Sequence, residues 1–160
     1  MKKIKSKSKN YQIDQSGKIE QTNKITVIAY SNGKHGSVKI AARDKKYLQD
    51  IYRKAGKPKS FIIQVFSALL YLLLEKSKLE KTMLVVDKEY PGHEAIIKSY
   101  LVQIANKRGK IKLSPGEIRF GLVGKSSNCH GVASKAFKAN RADFSVNKEE
   151  ILSLILLYEK

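Results

Sequence analysis

A chain of 160 residues has room for one domain with a substantial core, and 42% hydrophobic residues exclude a disordered chain. Its one cysteine, Cys129, excludes an intramolecular disulfide and is typical of a reducing compartment such as the cytoplasm. Lys and Arg total 32 against 14 Asp and Glu, and the net charge of +18 favours a polyanionic partner, with nucleic acid ahead of an acidic membrane surface. A basic surface that serves only solubility is the alternative.

The N-terminal part of the chain predicts a basic tail followed by an antiparallel meander. Residues 1–9, MKKIKSKSK, predict a flexible tail, and no apolar segment follows them as it does in a signal peptide. Alternating or β-branched segments predict strands at 11–20, 24–31 and 37–42. The NGKHG segment at 32–36 predicts a turn, because Asn-Gly tolerates positive φ.

The pattern then changes to helices that alternate with apolar strands. The longest apolar run, residues 61–74, is shorter than the roughly 20 residues of a membrane span and predicts a buried core helix. Asn147 with Glu150 three positions later predicts a capping box for the last helix. Helices are predicted at 42–56, 58–78, 92–109, 128–138 and 148–158, and strands at 82–87 and 116–124.

The order of these elements predicts a single α/β domain over residues 10–160, with a mixed five-stranded sheet flanked by helices. The third strand runs parallel to the first, because two hairpins separate them, and a helical crossover gives the fourth strand the same direction. We therefore expect the fourth strand beside the first. Asp14 in the first strand and Asp87 at the end of the fourth then converge at one edge of the sheet.

This element order, together with four short motifs, resembles the ribonuclease H-like superfamily over roughly residues 10–145. The motifs are IDQSG with Asp14, LVVDKEY with Asp87, NCHGVASKAF with His130 and ANRAD with Asp143. The resemblance implies the superfamily's fold and a metal-dependent nuclease in which these four residues are catalytic. It also implies that the three aspartates are ligands of Mg²⁺ or Mn²⁺.

The chain departs from the pattern of this superfamily at two points. The family usually carries a Glu on its first long helix, and the aligned residue here is the uncharged Gln64. Glu89 or Glu94 is expected to substitute, and Glu89 is therefore predicted as a further metal ligand. The C-terminal ligand stays open between His130 and Asp143.

The proposed chemistry accounts for acidic residues inside a strongly basic protein. Carboxylate oxygens are ligands that Mg²⁺ and Mn²⁺ prefer, and two such ions about 4 Å apart can assist phosphodiester hydrolysis. The basic surface is then expected to hold the phosphate backbone of the substrate. Four cations near the predicted C-terminal ligands are candidates for this contact, with a solvated helix face as the alternative: Lys125, Lys135, Lys138 and Arg141.

The expected function is metal-dependent hydrolysis of phosphodiester bonds in RNA, an RNA–DNA hybrid or structured DNA. The alternative is a non-catalytic nucleic-acid-binding protein that keeps the fold, which Gln64 favours. A partner-binding protein whose charge is incidental is a third reading. We expect no membrane association. The oligomeric state stays open, because the apolar last helix can pack on its own domain or on a second copy.

Overall fold

A computed structural model describes residues 10–79, 83–123 and 128–159. Within these ranges the chain forms six strands and five α-helices. The predicted tail at residues 1–9 and the predicted phosphate contact Lys125 lie outside the described residues. The strands are β1 (Asn10–Ser16), β2 (Thr26–Asn32), β3 (Lys34–Ile40), β4 (Met83–Asp87), β5 (Ile118–Gly121) and β6 (Phe144–Val146). The helices are α1 (Ala42–Lys54), α2 (Ser60–Ser77), α3 (Glu94–Arg108), α4 (Asn128–Ala139) and α5 (Lys148–Ile155), with 3₁₀ turns at Pro115–Glu117 and Leu156–Glu159.

The six strands form one mixed sheet in the order β5-β4-β1-β2-β3-β6. As predicted, β1, β2 and β3 are antiparallel neighbours, and β4 lies parallel beside β1. The prediction of five strands is wrong, because β6 adds a sixth strand parallel to β3, with Phe144 opposite Val38. A strand of three residues is too short to show the period-two alternation by which a sequence indicates a strand.

Several strands differ in length from the prediction. β1 ends at Ser16 rather than at residue 20, because Gly17 turns the chain with a φ of +82°. The turn between β2 and β3 is tighter than predicted, since Asn32 already pairs with Lys34 across Gly33. Within the described part of the predicted segment 116–124, which ends at residue 123, β5 covers only Ile118–Gly121, and a 3₁₀ turn precedes it.

Helix α2 packs against one face of the sheet. Its side chains join Ile13 of β1, Ile28 of β2 and Val38 of β3 in the main hydrophobic core. It is the one described helix that is long and apolar enough to cross a membrane, and 67% of its 18-residue window is buried inside the fold. That burial confirms the predicted core helix.

Helix α4 packs against the opposite face, over β1, β2 and β3. Successive strand residues alternate between the two faces, so Val27 and Ala29 turn away from α2 and contact Ala133. These small side chains let the helix backbone come close to the sheet. Phe137 lies against Gly17, where an added Cβ would be 2.7 Å from the Phe137 ring. This helix is therefore held in position directly over β1.

The C-terminal helix α5 packs on its own domain. Ile151 and Leu154 are buried in the main core beside α2 and α1. The predicted capping box is confirmed, because the Asn147 side chain accepts from the Glu150 N–H at 2.9 Å and the Glu150 side chain accepts from the Asn147 N–H at 3.1 Å.

Candidate metal centre

Two aspartates lie side by side on neighbouring parallel strands. In the register of β1 and β4, Ile13 pairs with Val86, so Asp14 and Asp87 are the next residues on their strands and share one face. Asp14 is buried, with 7% of its surface exposed. The predicted convergence of these two residues is confirmed, and it follows from the parallel pairing of their strands.

Glu89 joins this pair from the turn that follows β4. The turn is held by the Lys88 N–H, which donates to the Gly121 carbonyl at 3.0 Å, and by the Glu89 N–H, which donates to the Asp87 carbonyl at 2.8 Å. One carboxylate oxygen from each of Asp14, Asp87 and Glu89 lies within 4.8 Å of the others. These three residues are called the acidic cluster below.

The negative charges of the acidic cluster are poorly compensated. Among the described residues, no Lys or Arg lies within salt-bridge distance of the three carboxylates. Burial, and then the negative charge of Asp87, raises the pKa of Glu89 to about 6, with further contributions from Asp14 and Glu20 and partial relief from Lys18. The negative electrostatic potential at this site favours the binding of a cation or a proton.

Hydrogen bonds hold both aspartates in place. Asp14 Oδ1 accepts from the Gln15 N–H at 2.8 Å, and Asp14 Oδ2 lies 2.9 Å from His130 Nδ1. Asp87 Oδ1 accepts from the Val123 N–H at 2.9 Å. Each of these oxygens has a second lone pair, so the contacts orient the carboxylates and still allow them to coordinate a metal ion.

Tyr90, which no sequence pattern indicated, links the turn after β4 to the end of β1 and to the segment that follows β1. Its hydroxyl accepts from Gln15 Nε2 at 3.0 Å and from the Ile19 N–H at 3.1 Å, and its ring packs on Phe66 at 5.1 Å between centroids. Burial raises the pKa of Tyr90 above its usual value. The signal in the sequence was weak, since Tyr90 resembles any aromatic residue before a Pro-Gly turn.

The donor set of this site fits a hard divalent cation. The three carboxylates supply oxygen ligands only, which suit Mg²⁺ or Mn²⁺ better than a softer metal. Gln15 lines the same crevice as the acidic cluster. Its buried amide oxygen has no hydrogen-bond partner among the described residues. Because Gln15 pairs with Ile28 and Asp14 pairs with Ala29, the Gln15 side chain lies on the α2 face of the sheet, opposite Asp14, and the donor set consists of the three carboxylates.

Asp143, predicted as a metal ligand and a catalytic residue, lies outside the acidic cluster. Its carboxylate accepts from the Ser37 N–H at 3.0 Å, and its own N–H donates to Ser37 Oγ at 3.2 Å. It precedes β6, and three strand spacings, about 14 Å in all, separate β6 from the β1 strand of Asp14. Of the two C-terminal candidates, the structure brings His130 to the aspartates.

Gln64 does not occupy a place in the acidic cluster either. It is buried among tyrosines on the α2 side of the fold, where it accepts from the Tyr52 hydroxyl and donates to the Tyr100 hydroxyl. Its lack of charge reflects this buried network. Glu94 accepts from the Gly92 N–H at the start of α3, so Glu89 is the acid that joins the aspartates.

The predicted phosphate contacts divide into two groups. Lys135 and Arg141 line a groove of about 660 Å³ between α4 and the β2–β3 hairpin. Lys138 is exposed on α4 and is not among the residues that line this groove. The basic surface around α4 therefore includes a groove that is lined by two of the predicted cations.

Comparison of the chain with protein-family models, with curated proteins and with solved structures finds no match.

Proposed function

We propose that the protein is a metal-dependent nuclease that hydrolyses phosphodiester bonds of RNA, an RNA–DNA hybrid or structured DNA. The observation that carries this proposal is the acidic cluster, in which three carboxylates meet within 4.8 Å inside a chain with a net charge of +18. A basic surface attracts a polyanion, and a cluster of three carboxylates attracts a cation. A divalent metal ion between the carboxylates and a phosphate satisfies both conditions.

The proposal includes a ribonuclease H-like fold, and the strand order of the sheet supports it. Three antiparallel strands are followed by helices and by a fourth strand that lies parallel beside the first. Asp14 and Asp87 occupy neighbouring positions on the two central strands, as the resemblance implies. The third acid is Glu89, which follows the fourth strand rather than coming from a helix. On this proposal the site is complete without a charge at Gln64.

Asp14, Asp87 and Glu89 are the residues that would hold Mg²⁺ or Mn²⁺. When bound, such an ion supplies Lewis-acid activation and charge neutralisation for the attack of water on phosphorus and the departure of the leaving oxygen. The protein fixes the carboxylates beforehand, because Gln15, His130 and Val123 hold them by hydrogen bonds.

His130 orients Asp14 and is the proposed proton carrier of the site. Its Nδ1 is engaged with Asp14 Oδ2, which favours a positioning and proton-transfer role over direct coordination through that atom. An imidazole is a common general acid or base in enzymes. The single cysteine of the chain supports the cytoplasm as the proposed location.

The test is a titration of Mg²⁺ and Mn²⁺ against the wild type and the Asp14→Asn/Asp87→Asn variant. The readouts are the melting temperature and the cleavage of a panel of single-stranded, duplex, hybrid and branched substrates. Metal-dependent stabilisation and cleavage that are both lost in the variant support the proposal. The matched control is Asp44→Asn/Asp50→Asn on α1, which makes the same charge change outside the acidic cluster.

The same experiment separates the nuclease from a non-catalytic nucleic-acid-binding protein. A nuclease variant without Asp14 and Asp87 carboxylates loses cleavage and keeps salt-sensitive binding of nucleic acid. A non-catalytic binder shows the same binding, with no cleavage by the wild type and no response of its melting temperature to metal. That second outcome would assign the acidic cluster a structural role.

A further inference from the structure

A groove beside α4 lies apart from the residues that the proposed metal chemistry uses. It is called the α4 groove below. One wall is a single face of α4, whose lining residues recur every three or four positions. The other sides come from the β2–β3 hairpin and from the turn between α4 and β6. The residues that define it include Ser31, Lys34, Ser37, Asn128, Lys135 and Arg141.

The charge of the α4 groove suits an anionic ligand. Among the described lining residues, three cations, Lys34, Lys135 and Arg141, stand against one carboxylate, that of Asp143. The Asp143 carboxylate accepts a hydrogen bond from the Ser37 N–H and is thereby held against β3. The three cations come from three separate segments of the chain. A ligand in the groove is therefore approached by positive charge from several sides.

The shape of the α4 groove suits a nucleotide rather than a duplex. Its volume of about 660 Å³ falls within the range of small-ligand pockets, and it is far too small for a double helix. Gly131, Ala136 and Ala139 leave the helix wall open. His35 and Arg141 supply planar groups of the kind on which unstacked bases lie.

The α4 groove begins close to the acidic cluster. Asn128, which lines the groove, and His130, which contacts Asp14, both belong to the first turn of α4. The two sites therefore flank the same helix end. When a phosphate of a nucleic-acid strand lies at the acidic cluster, the neighbouring nucleotides of that strand lie at the groove.

We propose that the α4 groove binds a single-stranded segment of nucleic acid, DNA or RNA, adjacent to the phosphodiester bond that the acidic cluster holds. The inference rests on the proposed function in taking nucleic acid as the ligand, and it narrows the substrate to one with an unpaired flank. Phosphates contact Lys135 and Arg141, and an unstacked base occupies the space beside Gly131.

The first test blocks the groove without changing its charge. An added Cβ at Gly131 meets no atom within 4 Å, and leucine is a better helix former than glycine, so Gly131→Leu should fold and fill the groove. The affinity for labelled single strands of about ten nucleotides is measured by fluorescence anisotropy in EDTA, with DNA and RNA in separate arms. We expect at least a roughly tenfold rise in Kd. The control is Ser99→Leu, exposed on α3.

The second test removes the cations. Lys135→Glu/Arg141→Glu is compared with Lys46→Glu/Lys54→Glu, which makes the same charge change at exposed positions of α1. Loss of two phosphate contacts should lower the slope of log Kd against log salt by about 1.4 for a single strand. The α1 pair should leave that slope nearly unchanged.

Two results overturn the inference. One is an unchanged affinity of Gly131→Leu for both single-stranded DNA and single-stranded RNA. The other is an equal loss of affinity in the two charge variants, which assigns binding to net charge instead of to the groove. Failure of the proposed function has a different signature, absent cleavage by the wild type with Mg²⁺ or Mn²⁺, because the binding measurements contain EDTA.

Discussion

His130 Nδ1 lies 2.9 Å from Asp14 Oδ2, and this contact joins the first turn of α4 to the centre of the sheet. The two residues are 116 positions apart in the chain. Asp14 is buried, whereas the His130 side chain is 39% exposed, so the imidazole can exchange protons with solvent while it holds the carboxylate. The candidate metal centre therefore depends on the docking of α4 as well as on the pairing of β1 with β4.

Removal of the His130 imidazole should weaken metal binding. In His130→Ala, Asp14 loses the group that orients its Oδ2, and partners of this kind typically change metal affinity by about 10- to 100-fold. The affinity is obtained from the melting temperature as a function of Mn²⁺ concentration. His93→Ala, at the exposed start of α3, is the matched control. Equal Mn²⁺ affinity in the two variants contradicts the positioning role.

Glu89→Gln should stabilise the metal-free protein above pH 6 and abolish its response to metal. The pKa of Glu89 is raised to about 6, so the folded state binds a proton more tightly than the unfolded state does. That contribution is present below the ordinary carboxyl pKa of 4.5 and is lost as the pH rises through about 6. In urea unfolding with EDTA, the variant should exceed the wild type by about 1 kcal/mol at pH 7.5.

The control for this prediction is Glu149→Gln on α5, where the carboxylate is exposed. Its stability should follow that of the wild type from pH 4.5 to 7.5. Added Mg²⁺ should stabilise the wild type and Glu149→Gln, and should leave Glu89→Gln unchanged. A Glu89→Gln variant that is less stable than the wild type at pH 7.5 would show that the carboxylate is not repelled by its neighbours.

Tyr90→Phe should loosen the link between the turn after β4 and the end of β1. The variant removes the oxygen that accepts from Gln15 Nε2 and from the Ile19 N–H, and it leaves two donors in a largely buried place without a partner. We expect a loss of about 1–3 kcal/mol in the free energy of unfolding. Tyr47→Phe on α1 is the control, because Tyr47 is 48% exposed. Equal midpoints for the two variants in urea unfolding would contradict the role of the Tyr90 hydroxyl.

Gly17→Ala should be strongly destabilising, because two effects combine at this position. A Cβ there would lie 2.3 Å from the Ile25 carbonyl oxygen, and the φ of +82° is unfavourable for any side chain. Gly56→Ala isolates the second effect, since its φ is +75° and nothing lies within 4 Å of the added Cβ. We expect about 1 kcal/mol for Gly56→Ala and clearly more for Gly17→Ala. Similar thermal unfolding of both variants contradicts the close approach of Ile25 and Phe137 to Gly17.

The meeting of Asp14 and Asp87 could be predicted from the sequence because local patterns determine it. A continuous apolar run ends at Asp87, and two hairpins and a crossover fix the direction of every strand involved. Glu89 was a candidate because it follows the same strand. The choice between His130 and Asp143 could not be made, since it depends on where α4 packs on the sheet. It also depends on the short strand β6, whose pairing with β3 places Asp143 beside Ser37.

Contacts across long sequence separations were missed for the same reason. Tyr90 meets Gln15 over 75 positions, and nothing near either residue indicates the other. Lys45 was missed although a signal existed, because it shares the apolar face of α1 with Leu48 and Tyr52 at helical spacing. A lysine on a helix is usually read as a surface residue, and that expectation outweighed the pattern.

Lys45→Met should destabilise the fold, and its effect should grow at alkaline pH. The buried ammonium donates to the Lys18 carbonyl at 3.0 Å, the Gln21 carbonyl at 2.7 Å and Thr26 Oγ1 at 2.9 Å, so methionine removes three hydrogen bonds. We expect a loss on the order of 2 kcal/mol at pH 7 in urea unfolding. Lys46→Met, at the exposed neighbouring position, should change stability little.

The pH dependence of this effect follows from the lowered pKa of Lys45, which burial brings from 10.5 to about 8 with Glu20 opposing the shift. Between these two values the unfolded state binds more protons than the folded state, so the wild type gains stability as the pH rises through this window. Lys45→Met has no such gain, and the difference between the two proteins should widen between pH 8 and pH 10.5. Other lysines and tyrosines titrate in the same range in both proteins, and their effect cancels in that difference. A constant difference across the window would mean that the three acceptors fully offset the burial of the ammonium.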